Sequence, residues 1–114
     1  MAKFIKGDII VVPFPFSDLT NAKRRPAFVL TVLSGDDIIL CQITSRDVND
    51  DFAIKLKAID FESGSLPVES NIRPNRLFTA DRRIILNKVG HVSQIKINEV
   101  VERAVEIIRF AGAK

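Results

Sequence analysis

The sequence predicts a mainly β fold with some α: a small β-barrel with one C-terminal helix packed on it. Three observations carry this expectation. Short apolar runs rich in β-branched and aromatic residues recur up to residue 92, as strands prefer. Clusters of Gly, Pro, Asn, Asp and Ser separate them, and these residues favour turns. The one long stretch with helical spacing comes last, where apolar residues fall at 97, 100, 101, 104, 105 and 108. Strands joined by tight turns ahead of a single helix suit a barrel with the helix laid on it. At 114 residues the chain is expected to be one domain, 1–114, with a core that needs no staples.

Taken in order, residues 9–16 are β-branched and aromatic with two prolines, which predicts an edge strand. The polar residues 17–23 predict a loop. Lys23, Arg24 and Arg25 follow, directly before Pro26. A proline biases the residue before it toward an extended backbone, so Arg25 is expected to be held extended at a strand entrance. The apolar runs 28–33 and 38–43 flank Ser34-Gly35-Asp36-Asp37 and predict a hairpin with Gly35 at the turn. Thr44 and Ser45 close its second strand, and residues 46–51 read as a polar loop. Phe52, Ile54 and Leu56 alternate with Ala53, Lys55 and Lys57, the period of a half-buried strand. Residues 60–68 read as a turn. Residues 70–79 read as a strand that Pro74 restricts to an edge or a bulge. Asp81 is expected to cap a short helical turn, Gly90 to mark a bulge in the strand 89–92, Ser93 to cap the helix and Gly112 to end it.

Composition narrows the function. Hydrophobic residues make up 46% and charged residues 27%, and no apolar run approaches the ~20 residues that cross a bilayer. The charged N-terminus breaks at Gly7 and Asp8 without the apolar segment of a signal peptide, so a cytoplasmic protein with no membrane partner is expected. Cys41 is the only cysteine. It excludes an intrachain disulfide and a cysteine-rich metal site, and reads as a small buried hydrophobe. His91 is the only histidine, too few for a zinc site of the usual kind, so no metal or other cofactor is expected. The net charge of +3 is unevenly spread: residues 1–33 and 70–93 each carry five Lys/Arg, against eight Asp/Glu in residues 34–69. If the fold joins the two basic stretches, they form a patch that attracts polyanions.

The order GDI (residues 7–9), PFPFSDL (13–19), KRRPA (23–27), CQITS (41–45), SGSLPVESNIRP (63–74), LFTADRRII (77–85) and VGHVS (89–93) resembles the PemK/MazF family of toxin endoribonucleases over nearly the whole chain. The resemblance implies an SH3-like barrel, a symmetric homodimer, a cognate antitoxin protein as partner, and metal-independent cleavage of single-stranded RNA. It also implies catalytic roles for the arginine of the RP pair and the threonine of the strand ending in TS, positions held here by Arg25 and Thr44.

Those residue types fit the chemistry. Cleaving RNA without a metal requires activating a ribose 2′-hydroxyl, stabilising extra charge on phosphorus and protonating the departing 5′-oxygen. The planar guanidinium of Arg25 can hold two phosphate oxygens and stays charged, and the hydroxyl of Thr44 adds a donor to developing oxyanion charge. Lys23 and Arg24 are expected to contact backbone phosphates, which give affinity rather than sequence choice, and Ser45 to contact substrate beside Thr44. Arg73 matches a family arginine assigned with an aspartate two residues on as an acid/base pair. Asn75 stands in place of that aspartate and cannot act as a base, which leaves Arg73 as a phosphate clamp or an interface charge. Arg76 is a further candidate of the same type. Asp18, in the loop before the arginines, is the candidate general base. Phe14 and Phe16 are the candidate stacking surfaces for bases. Two other readings share the architecture: a nucleic-acid binder without turnover, and a CcdB-like gyrase-binding toxin. The latter depends on a tryptophan-containing tail, whereas this chain has no tryptophan and ends Gly112-Ala113-Lys114.

Overall fold

The structure is a computed structural model that describes residues 3–14 and 23–110. Its strands are β1 (Asp8–Phe14), β2 (Lys23–Val32), β3 (Asp37–Thr44), β4 (Ile54–Leu56), β5 (Phe61–Gly64), β6 (Ser70–Asp81) and β7 (Asn87–Val92), followed by the helix α1 (Gln94–Phe110). They form one antiparallel sheet in the order β4-β6-β3-β2-β1-β7-β5. The expected mainly β fold with a packed C-terminal helix is therefore present, as a curled half-barrel whose edge strands are β4 and β5. Among the described residues, no helix is long and apolar enough to cross a membrane.

The β2–β3 hairpin forms as expected, with Gly35 at φ +86° in its turn. Its strands read as continuous apolar runs because both faces of the sheet are covered. On one face Phe28, Cys41 and Ile43 join Ile9, Ile54, Leu56, Ile72 and Val92 beneath Ile97 and Val100 of α1. On the other face Ala27, Val29, Ile38 and Leu40 join Ile10, Val12 and Ala80, with Phe4, Phe78, Ile84 and Ile85 packed against them. Burial of this kind contributes about 1.5–3 kcal/mol per large side chain, and Phe28 is the largest that is fully buried. Only the first half of the helical stripe is used: Ile97, Val100 and Ala104 are buried, whereas Val105 and Ile108 are exposed. Ser93 caps α1 by accepting the Lys96 N–H at 3.2 Å. Gly112 lies outside the described residues.

Proline behaves differently in β1 and β6. The stretch 9–16 reads as an edge strand, yet β1 lies between β2 and β7. The β7 pairing ends at Val11↔Asn87, so Pro13 faces only β2, opposite Arg24, and its missing N–H interrupts no ladder on the β7 side. Residues 15 and 16 lie outside the described residues. Pro74 does sit in a bulge: pairing of β6 with β3 jumps from Cys41↔Leu77 to Gln42↔Arg73, leaving residues 74–76 unpaired between them. That bulge also gives Arg73 a fixed place opposite Gln42.

Part of the predicted turn 60–68 is the strand β5, whose sequence, FESG, lacks apolar alternation. Its pairing depends on two glycines. A Cβ on Gly90 would lie 2.7 Å from the Ser63 carbonyl oxygen and 2.8 Å from the Phe61 ring, so only glycine lets β5 approach β7 this closely. Gly90 also sits beside the expected bulge, where pairing shifts from Ile9↔Gly90 to Ile10↔Lys88.

Asp81 caps the turn after β6, accepting the Arg83 N–H at 2.8 Å and the Arg83 side chain at 2.9 and 2.6 Å. The Arg83 side chain, then its backbone N–H, lowers the Asp81 pKa from 3.8 to about 2. A lowered folded-state pKa stabilises the fold above the unfolded value, and that stabilisation is lost as pH falls through the folded one. Asp81→Asn is therefore expected to flatten the acid-unfolding curve between about pH 4 and pH 2, checked by circular dichroism against the unsubstituted protein.

Candidate active site

Strand periodicity divides the basic cluster. Successive side chains point to opposite faces, so Lys23 and Arg25 share one face and Arg24 takes the other. Lys23 pairs with Phe14 and Arg25 with Val12. On the neighbouring strand Ala27 pairs with Gln42, and two residues further out on each chain stand Arg25 and Thr44, on the face that carries Gln42. Beyond β3, Gln42 pairs with Arg73. Four strands thus bring Phe14, Lys23, Arg25, Gln42, Thr44 and Arg73 to one end of one face.

These residues line a cavity of about 410 Å³, together with Ile43, Arg46 and Arg76. Among the described residues, five cationic side chains surround it and no lining residue is acidic. Such a concentration of one sign of charge in a cleft attracts anions. Of the expected site residues, Lys23, Arg25, Thr44, Arg73 and Arg76 are brought together here. Phe14 packs against Phe78 at a ring-centroid separation of 5.9 Å and forms an aromatic wall. Asp18 and Phe16 lie outside the described residues.

Arg46 and Gln42 were missed by sequence reasoning. Arg46 had a readable signal, since it stands two residues past Thr44 where the strand ends; its N–H donates to Thr44 Oγ1 at 3.2 Å. That bond uses an acceptor site on the hydroxyl and leaves its proton to donate. The backbone contact expected of an ordinary strand-end threonine and a donor role in the cavity are therefore compatible.

Arg73 has a carboxylate partner, though not from its own strand. Its Nη2 lies 3.0 Å from Asp50 Oδ2, and Asp50 sits in the loop between β3 and β4. The Phe52 N–H first, then the Ala53 N–H and the Arg73 side chain, hold the Asp50 carboxyl below its ordinary value despite partial desolvation. Asp50 is thus an ionised partner.

Arg24 and Ser45 fall on the other side. They line a second cavity of about 360 Å³ with Pro26, Leu66, Pro67 and Val68, and Arg25 and Thr44 stand at the junction of the two cavities. Cys41 is buried, and burial pushes its thiol up to about 12, which suits the expected small hydrophobe and no nucleophile. His91 is held elsewhere: its Nδ1 lies 2.9 Å from the buried Asp8 carboxylate. Among the described residues no cluster of His, Cys, Asp and Glu is arranged to hold a metal ion.

The same fold occurs in solved structures. One is a chain of the MazE-MazF complex of Deinococcus radiodurans, which superposes with a TM-score of 0.75 at 19% identity, over 96% of this chain and 98% of that one. The toxin MazF-mt6 of Mycobacterium tuberculosis gives 0.67 at 14% identity, over 87% and 92%. An endoribonuclease from a Mycobacterial species, in complex with its cognate antitoxin, gives 0.69 at 12% identity, over 92% and 97%. At these identities the likeness is one of fold. No curated protein sequence matches significantly. The model of one family, the PemK-like, MazF-like toxins of type II toxin-antitoxin systems, does match, over residues 5–108. With nearly the whole length matched in sequence and the fold matched in space, this chain belongs to that toxin family.

Proposed function

We propose that this protein is a metal-independent endoribonuclease that cuts single-stranded RNA by attack of a ribose 2′-hydroxyl on the adjacent phosphate. The observation that carries the reading is the cationic cavity in which Arg25 and Thr44 meet. In the reaction the 2′-oxygen forms a bond to phosphorus and loses its proton. The phosphorus then carries extra negative charge on its non-bridging oxygens. The bond to the 5′-oxygen breaks and that oxygen takes up a proton, leaving a 2′,3′-cyclic phosphate and a 5′-hydroxyl. Arg25 grips two phosphate oxygens with its planar fork. Thr44 donates its hydroxyl proton to the developing charge. Lys23, Arg46, Arg73 and Arg76 hold phosphates at and beside the scissile one, and Phe14 offers a face for a base. Arg24 and Ser45 meet the strand on the adjoining side. Asp18 is the proposed base for the 2′-hydroxyl.

A basic groove of this kind also fits an acidic, extended antitoxin segment, which would block it by occupying the phosphate positions. The Deinococcus radiodurans match is a MazE-MazF complex and the Mycobacterial endoribonuclease is in complex with its cognate antitoxin, which supports a cognate antitoxin as partner here, with the toxin working as a homodimer in the cytoplasm.

The test is incubation of the purified protein with long single-stranded RNA in EDTA, followed by mapping of the cuts. Discrete fragments at an undiminished rate are expected. Strong inhibition by EDTA would contradict the metal-free reading, and binding without cuts would favour a nucleic-acid binder without turnover.

A further inference from the structure

We propose that Asp50 is a positioning residue for RNA cleavage, holding Arg73 at the cavity through one carboxylate oxygen while the other shapes the loop that carries Arg46 past Thr44. The inference rests on the endoribonuclease reading and extends it to a residue that lies outside the strand motifs. Asp50 Oδ2 accepts Arg73 Nη2 at 3.0 Å. Asp50 Oδ1 accepts the N–H groups of Phe52 at 2.9 Å and Ala53 at 3.0 Å. One carboxylate therefore closes the loop and joins it to β6. Asn71 pins the same loop from β6, its Nδ2 donating to the Arg46 carbonyl at 3.0 Å. Between loop and strand lies a cavity of about 350 Å³ lined by Thr44, Arg46 and Arg73 with residues 47–50, and those three residues also line the cationic cavity.

The electrostatics explain why a carboxylate is needed. Arg73 shares its cavity with Lys23, Arg25, Arg46 and Arg76, and like charges at close range repel one another. Without a counter-charge its side chain would turn away toward water. Its Nε supplies no second polar anchor, being buried with no hydrogen-bond partner among the described residues. Asp50 is the one carboxylate in ion-pair contact with any of the five cations among the described residues. The pair is sheltered, with 19% of the Arg73 side chain and 27% of the Asp50 side chain exposed, so solvent screens it less than an open surface pair. The bonds to Asp50 are made to its ionised form, so it holds no proton to give as a general acid, and both of its oxygens are already engaged by Arg73, Phe52 and Ala53, which leaves orientation as its work.

The experiment is a double-substitution cycle with Asp50→Asn and Arg73→Ala, read in single-stranded RNA cleavage in EDTA and in binding of an uncleavable 2′-deoxy oligonucleotide. The amide introduced by Asp50→Asn keeps an oxygen for the Phe52 and Ala53 N–H groups but lacks the charge that holds Arg73. Asp50→Asn is expected to lower kcat about 10- to 100-fold with the melting temperature little changed. In the Arg73→Ala background the same substitution is expected to cost less than about 2-fold, because residues acting as a unit are not additive. Wild-type kcat in Asp50→Asn, or losses that multiply in the double variant, would overturn the proposal. If the wild-type protein binds RNA without cutting it, the cleavage reading fails alone and the cycle is decided in the dissociation constant. Non-additive losses there support the Asp50–Arg73 unit and multiplying losses refute it. A protein that neither binds nor cuts RNA removes both readings.

Discussion

Arg25→Ala is expected to lower the rate of RNA cleavage by about 10³-fold, equivalent to about 4 kcal/mol of transition-state stabilisation, while the fold survives. The size follows from what is removed: a fixed positive fork aimed at oxygens that gain charge as the 2′-oxygen attacks. Removing a single oxyanion donor costs about 10²–10³-fold, and an arginine on a transferring phosphoryl group about 10³–10⁵-fold. Survival of the fold follows from position. Arg25 is exposed at the open end of β2, and the buried core begins two residues later at Ala27. Arg25→Lys keeps the charge without the fork and should recover only part of the rate. Cleavage assays paired with thermal melts check both halves, and an Arg25→Ala protein that cuts RNA normally would remove this residue from the mechanism.

Gly64→Ala carries the largest expected effect on stability. Gly64 has φ +71°, and a Cβ there would stand 2.0 Å from the Val89 carbonyl oxygen and 2.6 Å from Gly90 Cα. Left-handed backbone costs a non-glycine residue about 1–2 kcal/mol, and forcing backbone apart adds about 1–3 kcal/mol. The total, about 2–5 kcal/mol, corresponds to a melting temperature lower by about 10 °C or more. Gly35 is the control. It too has positive φ, +86°, but its Cβ would meet nothing within 4 Å among the described residues, so Gly35→Ala should cost only the backbone term of about 1–2 kcal/mol. Equal melting temperatures for the two variants would show that β5 yields freely from β7.

Particular residues show how far the sequence could be read. The hairpin was legible because two β-branched runs flank Gly35, and the helix because its apolar stripe and the Ser93 cap are local signals. The β5 strand was hidden, since its pairing rests on the missing Cβ of Gly90 in another strand rather than on its own pattern. The central place of β1 was hidden as well: Pro13 argues for an edge, and only the register shows that β7 stops at Val11. At the site, Arg25 and Thr44 stood out by the family resemblance of the KRRPA and CQITS motifs, with their places beside Pro26 and at a strand end in support. Asp50 could not be, because its partner Arg73 lies 23 residues away and the two meet only once the β3–β4 loop folds back on β6. With Asn75 on its own strand in place of a carboxylate, Arg73 takes its counter-charge from a different element, the β3–β4 loop.

Products from an RNA with one cleavage site, prepared with either a ribose or a 2′-deoxyribose on the 5′ side of the scissile phosphate, put the central claim to its most direct test. In EDTA, the ribose substrate should give a 2′,3′-cyclic phosphate and a 5′-hydroxyl, and the deoxy substrate should stay whole. Cutting of the deoxy substrate, or a dependence on divalent metal, would contradict the claim that Arg25 and Thr44 serve a 2′-hydroxyl attack in a shared anion site.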